Sequence, residues 1–148
     1  MEHLLNGLRA AAEPTRLRIL ALCAHGELTV SELTQILGQS QPRVSRHLKL
    51  LGEAGLLDRF REGTWAFFRL AAAGPAGELA RVLVDRIPDT DDTVARDLQR
   101  LAAVKATRAE LASAYFRANA ATWDRVRSLY VDEHEVEQAL LALLPERE

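Results

Sequence analysis

The sequence predicts a mainly α-helical fold with one small β-hairpin, an α+β class. Three observations support this prediction. Apolar residues recur at helical spacing over most of the first 53 residues. After Gly55 the period shortens to that of strands. Beyond residue 90, no glycine or proline interrupts about forty residues, which favours one long helix followed by a shorter one.

The first half of the chain contains clear helix start and stop signals. After a short amphipathic lead-in, the segment EPTRLRILALCAHG places Pro14 in a first helical turn and Gly26 at a helix end. The segment LTVSELTQILG carries a capping box, with Thr29 as N-cap and Glu32 three residues later. Gly38 is positioned to end this helix.

A second helix is predicted directly after Gly38, within GQSQPRVSRHLKLLGEAGLL (residues 38–57), so the two form a helix-turn-helix pattern. With Val44 and Leu48 inward, a rotation of about 100° per residue separates an outward face from two flanks. The outward residues are Pro42, Arg46 and Lys49, and the flanking residues are Arg43 and Ser45. No acid occurs in this helix before Glu53.

The outward face of this helix has the chemistry of a DNA reader. Arginine can contact guanine with two hydrogen bonds, glutamine can contact adenine, and serine and lysine can hold phosphates. A solvated surface is the alternative interpretation, but a basic segment follows the helix. His47 points nearer the core and is expected to pack or contact backbone rather than read bases.

The segments LLDRF and WAFFRL read as strands joined by REGT, which predicts a hairpin with Gly63 at its turn. Three arginines make the hairpin basic: Arg59, Arg61 and Arg69. The segment GPAGELARVLVDRIP then predicts a helix that ends before Pro88.

Composition and charge fit a globular protein of one domain plus an extension. The 148 residues carry a net charge of −2, with 48% hydrophobic residues and one cysteine, which excludes an intrachain disulfide. Residues 1–72 hold nine lysines and arginines against seven acids, whereas residues 73–148 hold ten against fourteen. With no signal peptide and no long apolar run, a cytoplasmic location and no membrane contact are expected.

The stretch from AEPTRLRILALC to the hairpin WAFFRL resembles the winged-helix domain of the ArsR/SmtB family of bacterial transcriptional repressors. The resemblance implies a homodimer that reads an inverted repeat in double-stranded DNA. Matched by position, Ser40, Gln41, Arg43, Ser45 and Arg46 correspond to the recognition helix, and residues 61–64 to the wing tip. With Lys49 and Arg59, the predicted DNA-binding residues are Ser40, Gln41, Arg43, Ser45, Arg46, Lys49, Arg59, Arg61 and Thr64.

The predicted organisation has three parts. Residues 1–72 form the winged domain, residues 73–131 a helical dimerisation region, and residues 132–148 a short C-terminal helix. One row of apolar residues along the long helix has no obvious partner inside a compact winged domain, so we assign it to the dimer surface: Val94, Leu98, Leu101, Leu111 and Tyr115. The residues predicted there are Leu4, Leu5, Leu8, Leu79, Val82, Leu83, Leu98 and Leu101.

The family's metal sites are not expected here. Thr29 and Ser31 stand where metal-sensing relatives carry a cysteine pair, and the helix at 75–87 contains no histidine or cysteine. Cys23 lies in an apolar segment and is expected to be a core residue. The sequence therefore predicts no metal site and an effector that is not a metal, whose identity it leaves open.

The tail, AYFRANAATWDRVRSLY followed by EVEQALLALLP, resembles the lead-in of class I S-adenosylmethionine methyltransferases. This implies the regulator portion of a regulator–methyltransferase fusion, and an enzyme fragment is the alternative function. Equally, the aromatic residues of the tail could pack a helical dimer interface. No strand with a Gly-x-Gly loop precedes Glu148, so neither catalysis nor bound S-adenosylmethionine or S-adenosylhomocysteine is expected in this chain.

Overall fold

The computed structural model describes residues 1–130, with side chains as far as residue 120, and confirms the predicted fold class. The chain divides into two compact units, unit 1 from Met1 to Val104 and unit 2 from Lys105 onwards. The elements are α1 (Glu2–Ala11), α2 (Pro14–Cys23), β1 (Leu28–Thr29), α3 (Val30–Leu37), α4 (Gln41–Glu53), β2 (Leu57–Glu62), β3 (Trp65–Leu70), α5 (Gly74–Asp85) and α6 (Asp92–Tyr130). The helix predicted at 132–148 lies outside the described residues.

The helix-turn-helix pattern is formed by α3 and α4, and its predicted caps are confirmed. The Glu32 N–H donates to Thr29 Oγ1 at 3.2 Å, while the Thr29 N–H donates to Glu32 Oε1 at 2.9 Å. Gly38 ends α3 in the left-handed conformation (φ 66°), which costs a residue without a Cβ little. Ser40 is the N-cap residue of α4, so only Gln39 separates the two caps.

The predicted hairpin is confirmed, and it belongs to a three-stranded antiparallel sheet in the order β1-β3-β2. The hairpin register runs from Leu57 opposite Leu70 to Glu62 opposite Trp65. The pairing of β1 with β3, Leu28 opposite Phe68, was not predicted. Two residues are too short to show the alternation that identifies a strand.

One hydrophobic core unites α1 to α5, the sheet and the beginning of α6. Ile19 of α2, Leu33 of α3 and Val44 of α4 are fully buried in it. Leu101 and Val104 of α6 belong to the same core. Unit 1 therefore extends to Val104, and the predicted boundary at residue 72 lies inside it.

An ion pair between the buried Asp97 and the partly buried Arg18 joins α6 to α2. The Arg18 Nε donates to Asp97 Oδ2 at 2.7 Å, and Arg18 Nη2 donates to Asp97 Oδ1 at 2.9 Å. Asp97 is 1% exposed. The hydrogen bonds to Asp97 raise the pKa of Arg18 above its ordinary value, although burial opposes the shift. Nearby, Arg100 Nη1 donates to the Ile36 carbonyl at 3.0 Å, which ties α6 to α3 as well.

The hairpin of β2 and β3 forms the wing, and hydrogen bonds fix the link between β3 and α5. The Ala71 N–H donates to the Leu56 carbonyl at 3.0 Å, and Arg81 Nη2 donates to the Ala72 carbonyl at 3.0 Å. A Cβ added to Gly77 of α5 would lie 2.7 Å from the Ala71 carbonyl oxygen. Only glycine lets the first turns of α5 approach this backbone so closely.

None of the helices in the described part of the chain combines the length and hydropathy that crossing a membrane would require.

We predict that Asp97→Asn destabilises the protein by about 3 kcal/mol, because it leaves the Arg18 guanidinium in a largely buried site without its counter-ion. Urea denaturation of the full chain, at one protein concentration, measures the loss. The matched control is Asp89→Asn, which removes an exposed acid and should change the free energy of unfolding little. Equal stability of the two variants would contradict the role given to the ion pair.

Candidate nucleic-acid interface

The structure orients α4 as predicted. Val44 and Leu48 are buried at 0% and 2% exposure, so the opposite side of the helix faces solvent. The exposed residues of α4 include all those predicted to contact DNA, namely Gln41, Arg43, Ser45, Arg46 and Lys49. Their exposure leaves a basic and polar helix face available to a ligand.

The N-terminus of α4 is open. Ser40 is exposed, its backbone is extended, and its side chain makes no capping hydrogen bond. The first turn contains no acid, and its N–H groups have no acceptor within the helix. These groups and the Ser40 hydroxyl can together donate to a phosphate.

His47 lies on the side of α4 that faces α2 and is half-buried. Its Nδ1 is 3.3 Å from Arg16 Nη1 and 3.9 Å from Glu13 Oε2. Glu13 is the N-cap of α2, since its Oε2 also accepts the Arg16 N–H at 2.8 Å. The prediction that His47 packs inward is confirmed, and the three side chains connect the beginning of α2 to α4.

The wing brings Arg59 to the side of α4. Arg59 is opposite Phe68, which is buried, so both side chains lie on the face of the sheet that points to the core. A groove next to α4 is lined by Arg59, Ser45 and Lys49, and Glu53 lies at the same groove. At the tip, Arg61 and Thr64 are exposed.

Arg69, the third arginine of the hairpin, lies on the other face of the sheet. Its guanidinium carbon is 4.7 Å from the centroid of the Phe60 ring, and its Nη1 is 3.7 Å from Glu27 Oε1. Side chains alternate between the two faces of a sheet, so Arg69 is separated from Arg59 and Arg61. Counting the arginines of the hairpin in the sequence did not reveal this difference.

The predicted dimer residues fall into two groups. Leu4, Leu5 and Leu8 of α1 are 39–49% exposed, and Val82 of α5 is 51% exposed. Helix α5 packs on α1, where a Cβ at Gly7 would lie 2.7 Å from Leu79 Cδ2. Leu79, Leu83 and Leu98 are half-buried against the core.

Leu101 requires a correction. It is 2% exposed, so it cannot contribute to a surface between subunits. The expectation that the row along α6 has no partner in the winged domain is wrong for Leu101, which lies in the core of unit 1, and for Leu98, which packs against that core.

Cys23 and Thr29 both serve the fold, Cys23 as a buried side chain and Thr29 as a helix cap. Burial raises the pKa of the Cys23 thiol to about 12, so it stays protonated at neutral pH. The Thr29 hydroxyl serves as the N-cap of α3. Among the side chains that the structure describes, no three or more histidine, cysteine or acidic residues are grouped so that they could hold a metal ion.

Tyr115 and Phe116 are exposed on α6, with ring centroids 6.3 Å apart. The side chains of the other two aromatic residues of the tail, Trp123 and Tyr130, lie outside the described ones. Whether this tail serves an interface or a methyltransferase stays a prediction.

Known proteins share this architecture. Residues 13–59 match the family described as "Bacterial regulatory protein, arsR family". The arsenical resistance operon repressor of Escherichia coli (strain K12) is 48% identical over 66 residues, which cover 44% of this chain and 56% of that protein. The chain thus spans about half the length of this relative. An uncharacterized HTH-type transcriptional regulator of Methanocaldococcus jannaschii, MJ1325, is 41% identical over 61 residues, covering 40% of this chain and 68% of that protein.

A solved structure extends the comparison beyond the helix-turn-helix. The homodimeric winged helix-turn-helix DNA-binding domain of Mb0332 from Mycobacterium bovis superimposes with a TM-score of 0.50. It is 31% identical to this chain, and the match covers 57% of this chain and 80% of that one. None of the three relatives is described as a methyltransferase. By sequence and by fold, the chain belongs to the arsR family of bacterial regulatory proteins.

Proposed function

We propose that the chain represses transcription by binding double-stranded DNA as a homodimer. The exposed face of α4 is the observation that carries this proposal. It presents Arg43, Arg46 and Lys49 with no acid before Glu53, although the whole chain has a net charge of −2. A cationic helix face on an acidic protein fits a polyanion, and arginine and glutamine side chains can read base edges.

The geometry suits α4 in the major groove. Arg46 then faces base edges, while Gln41 and Ser40 lie at the open N-terminus of α4, where they can contact a phosphate or the end of a base edge. Arg59, beside Ser45 and Lys49, extends the cationic surface from α4 into the wing. Arg61 and Thr64 at the wing tip contact the neighbouring backbone or minor groove.

Two subunits are required, because the recognition helix and wing of one subunit cover only one half-site. A two-fold dimer places the half-site centres about 10–11 base pairs apart, so the operator is an inverted repeat. The exposed leucines of α1 and Val82 of α5 supply an apolar surface for the contact between subunits. The homodimeric description of the Mycobacterium bovis domain supports this arrangement.

The proposed effector is not a metal. The one cysteine is a protonated core thiol, and Thr29 is already used as a helix cap. The proposed repressor acts in the cytoplasm, and the proposal includes no catalytic step.

Arg46→Ala should weaken binding to the operator by about 1–3 kcal/mol, as expected when a base contact is lost. The operator is a duplex selected from a random pool, and fluorescence anisotropy measures its affinity over a range of salt concentrations. Arg96→Ala, which removes an exposed cation of α6, is the matched control. Unchanged operator affinity in Arg46→Ala would refute the proposed orientation of α4 on DNA.

Arg61→Ala should weaken all duplexes alike and reduce the salt slope by about one unit, because a phosphate contact carries no sequence information. The same titrations, repeated with an unrelated duplex, measure this. A loss confined to the operator would show that the wing reads bases.

Leu8→Glu combined with Val82→Glu should convert the dimer to monomers and weaken operator binding, because both changes place charges on exposed apolar residues of α1 and α5. Light scattering of the full chain measures the assembly. The control is Ala102→Glu, which adds a charge at an exposed position of α6. A double variant that stays dimeric would place the interface elsewhere.

Zinc, cadmium and arsenite should each leave operator affinity unchanged. Soft metals and arsenite bind thiolates, and the Cys23 thiol with its pKa of about 12 is not ionised at neutral pH. Anisotropy titrations with each compound test the prediction. Stoichiometric release of DNA by one of them would overturn it.

A further inference from the structure

A groove on unit 1 shares no residue with the proposed DNA-binding surface. It lies between the beginning of α2, the end of α5 and the beginning of α6. Its walls are mainly apolar and are formed by Pro14, Leu17, Leu83, Ile87, Pro88 and Val94. Leu17, Leu83 and Val94 are only half-buried, so apolar surface remains available there.

Four charged residues line the groove, and three of them have hydrogen-bond partners, although the backbone N–H groups that Glu13 and Asp91 accept do not cancel the negative charge of these carboxylates. Glu13 accepts the Arg16 N–H, Asp91 Oδ1 accepts the Val94 N–H at 2.9 Å, and Arg18 is paired with Asp97. Arg86 is exposed, and its side chain has no partner among the described side chains. A guanidinium with free donors beside apolar walls fits a carboxylate that carries a hydrocarbon body.

We propose that this groove binds a small amphipathic carboxylate, with its hydrocarbon body along Leu17 and Leu83 and its head group on Arg86. Most lining surface is apolar, so burial of the body supplies the favourable free energy. The head group adds selectivity, because charge-assisted hydrogen bonds to arginine are stronger than neutral ones.

The groove is physically connected to α4. Glu13 lines it, and the same carboxylate has its Oε2 3.9 Å from His47 Nδ1 of α4. Arg16, whose N–H donates to Glu13, also contacts His47. A ligand that moves the beginning of α2 would therefore shift the side of α4 that carries His47, opposite its exposed face. Its effect on DNA affinity rests on the proposed function, whereas binding to the groove does not.

Binding is tested by calorimetry on the full chain with three probes of equal length: octanoate, 1-octanol and octylammonium. We expect octanoate to bind about tenfold more tightly than octanol, the effect of hydrogen bonds to a charged group. Arg86→Gln should reduce octanoate affinity to that of octanol and leave octanol unchanged. The matched control, Arg96→Gln on α6, should leave both affinities unchanged, and Val94→Phe should weaken both by filling the groove.

Several results would overturn the proposal. If octylammonium binds more tightly than octanoate, the acids Glu13 and Asp91 select the head group instead. If octanoate and octanol bind equally, or none of the probes binds, the proposed recognition by Arg86 is wrong. If octanoate binding disappears as protein concentration drives dimerisation, a second copy of the chain covers the groove.

The regulatory role is tested separately with the selected operator duplex. Octanoate at saturation should change operator affinity by about fivefold or more, and Arg86→Gln should abolish this change without altering affinity in the absence of octanoate. If octanoate binds but operator affinity stays the same, the coupling to α4 is wrong. If octanoate binds to a chain that binds no duplex, the proposed function fails while the groove stands.

Discussion

The buried carboxylate of Asp97 constrains the whole of unit 1. An ionised group at 1% exposure is tolerated only when its oxygens are hydrogen-bonded and its charge is matched, and both conditions are met by the fork of Arg18. The pair fixes the beginning of α6 against α2, which brings Leu101 and Val104 into the core. The long helix is thus an integral part of the winged unit at its start.

The arginines of the hairpin are divided between the two faces of the sheet. The hairpin places Arg59 and Arg61 on one face and Arg69 on the other, although all three lie within eleven residues. Arg69 is held by an aromatic ring and a glutamate, whereas Arg59 extends the cationic surface of α4. An acidic chain can therefore present a cationic surface of defined shape, since position in the pleat determines which face a side chain occupies.

Local signals in the sequence predicted local structure well. The capping box at Thr29, the glycine after α3 and the alternation in the hairpin each depend on a few neighbouring residues, and the structure confirms them. The exposed face of α4 followed from two inward residues and the helical period. What failed depended on distant contacts. An apolar residue such as Leu101 has the same local pattern whether it packs on its own chain or on a partner, so the sequence could not place the boundary of unit 1. The groove beside Arg86 was also missed, because its lining comes from three separate helices.

The link between the wing and α5 has a mechanical consequence. Ala71 and Ala72 are held by Leu56, by Arg81 and by the close approach of Gly77, so this link has no slack to act as a hinge. In the proposed dimer on DNA, a wing held to α5 by these contacts would move together with α5 when the two subunits rotate. The distance between the two wings would then be fixed by the dimer. A spacer between the half-sites lengthened by one base pair would have to be absorbed by twisting the duplex rather than by bending the protein.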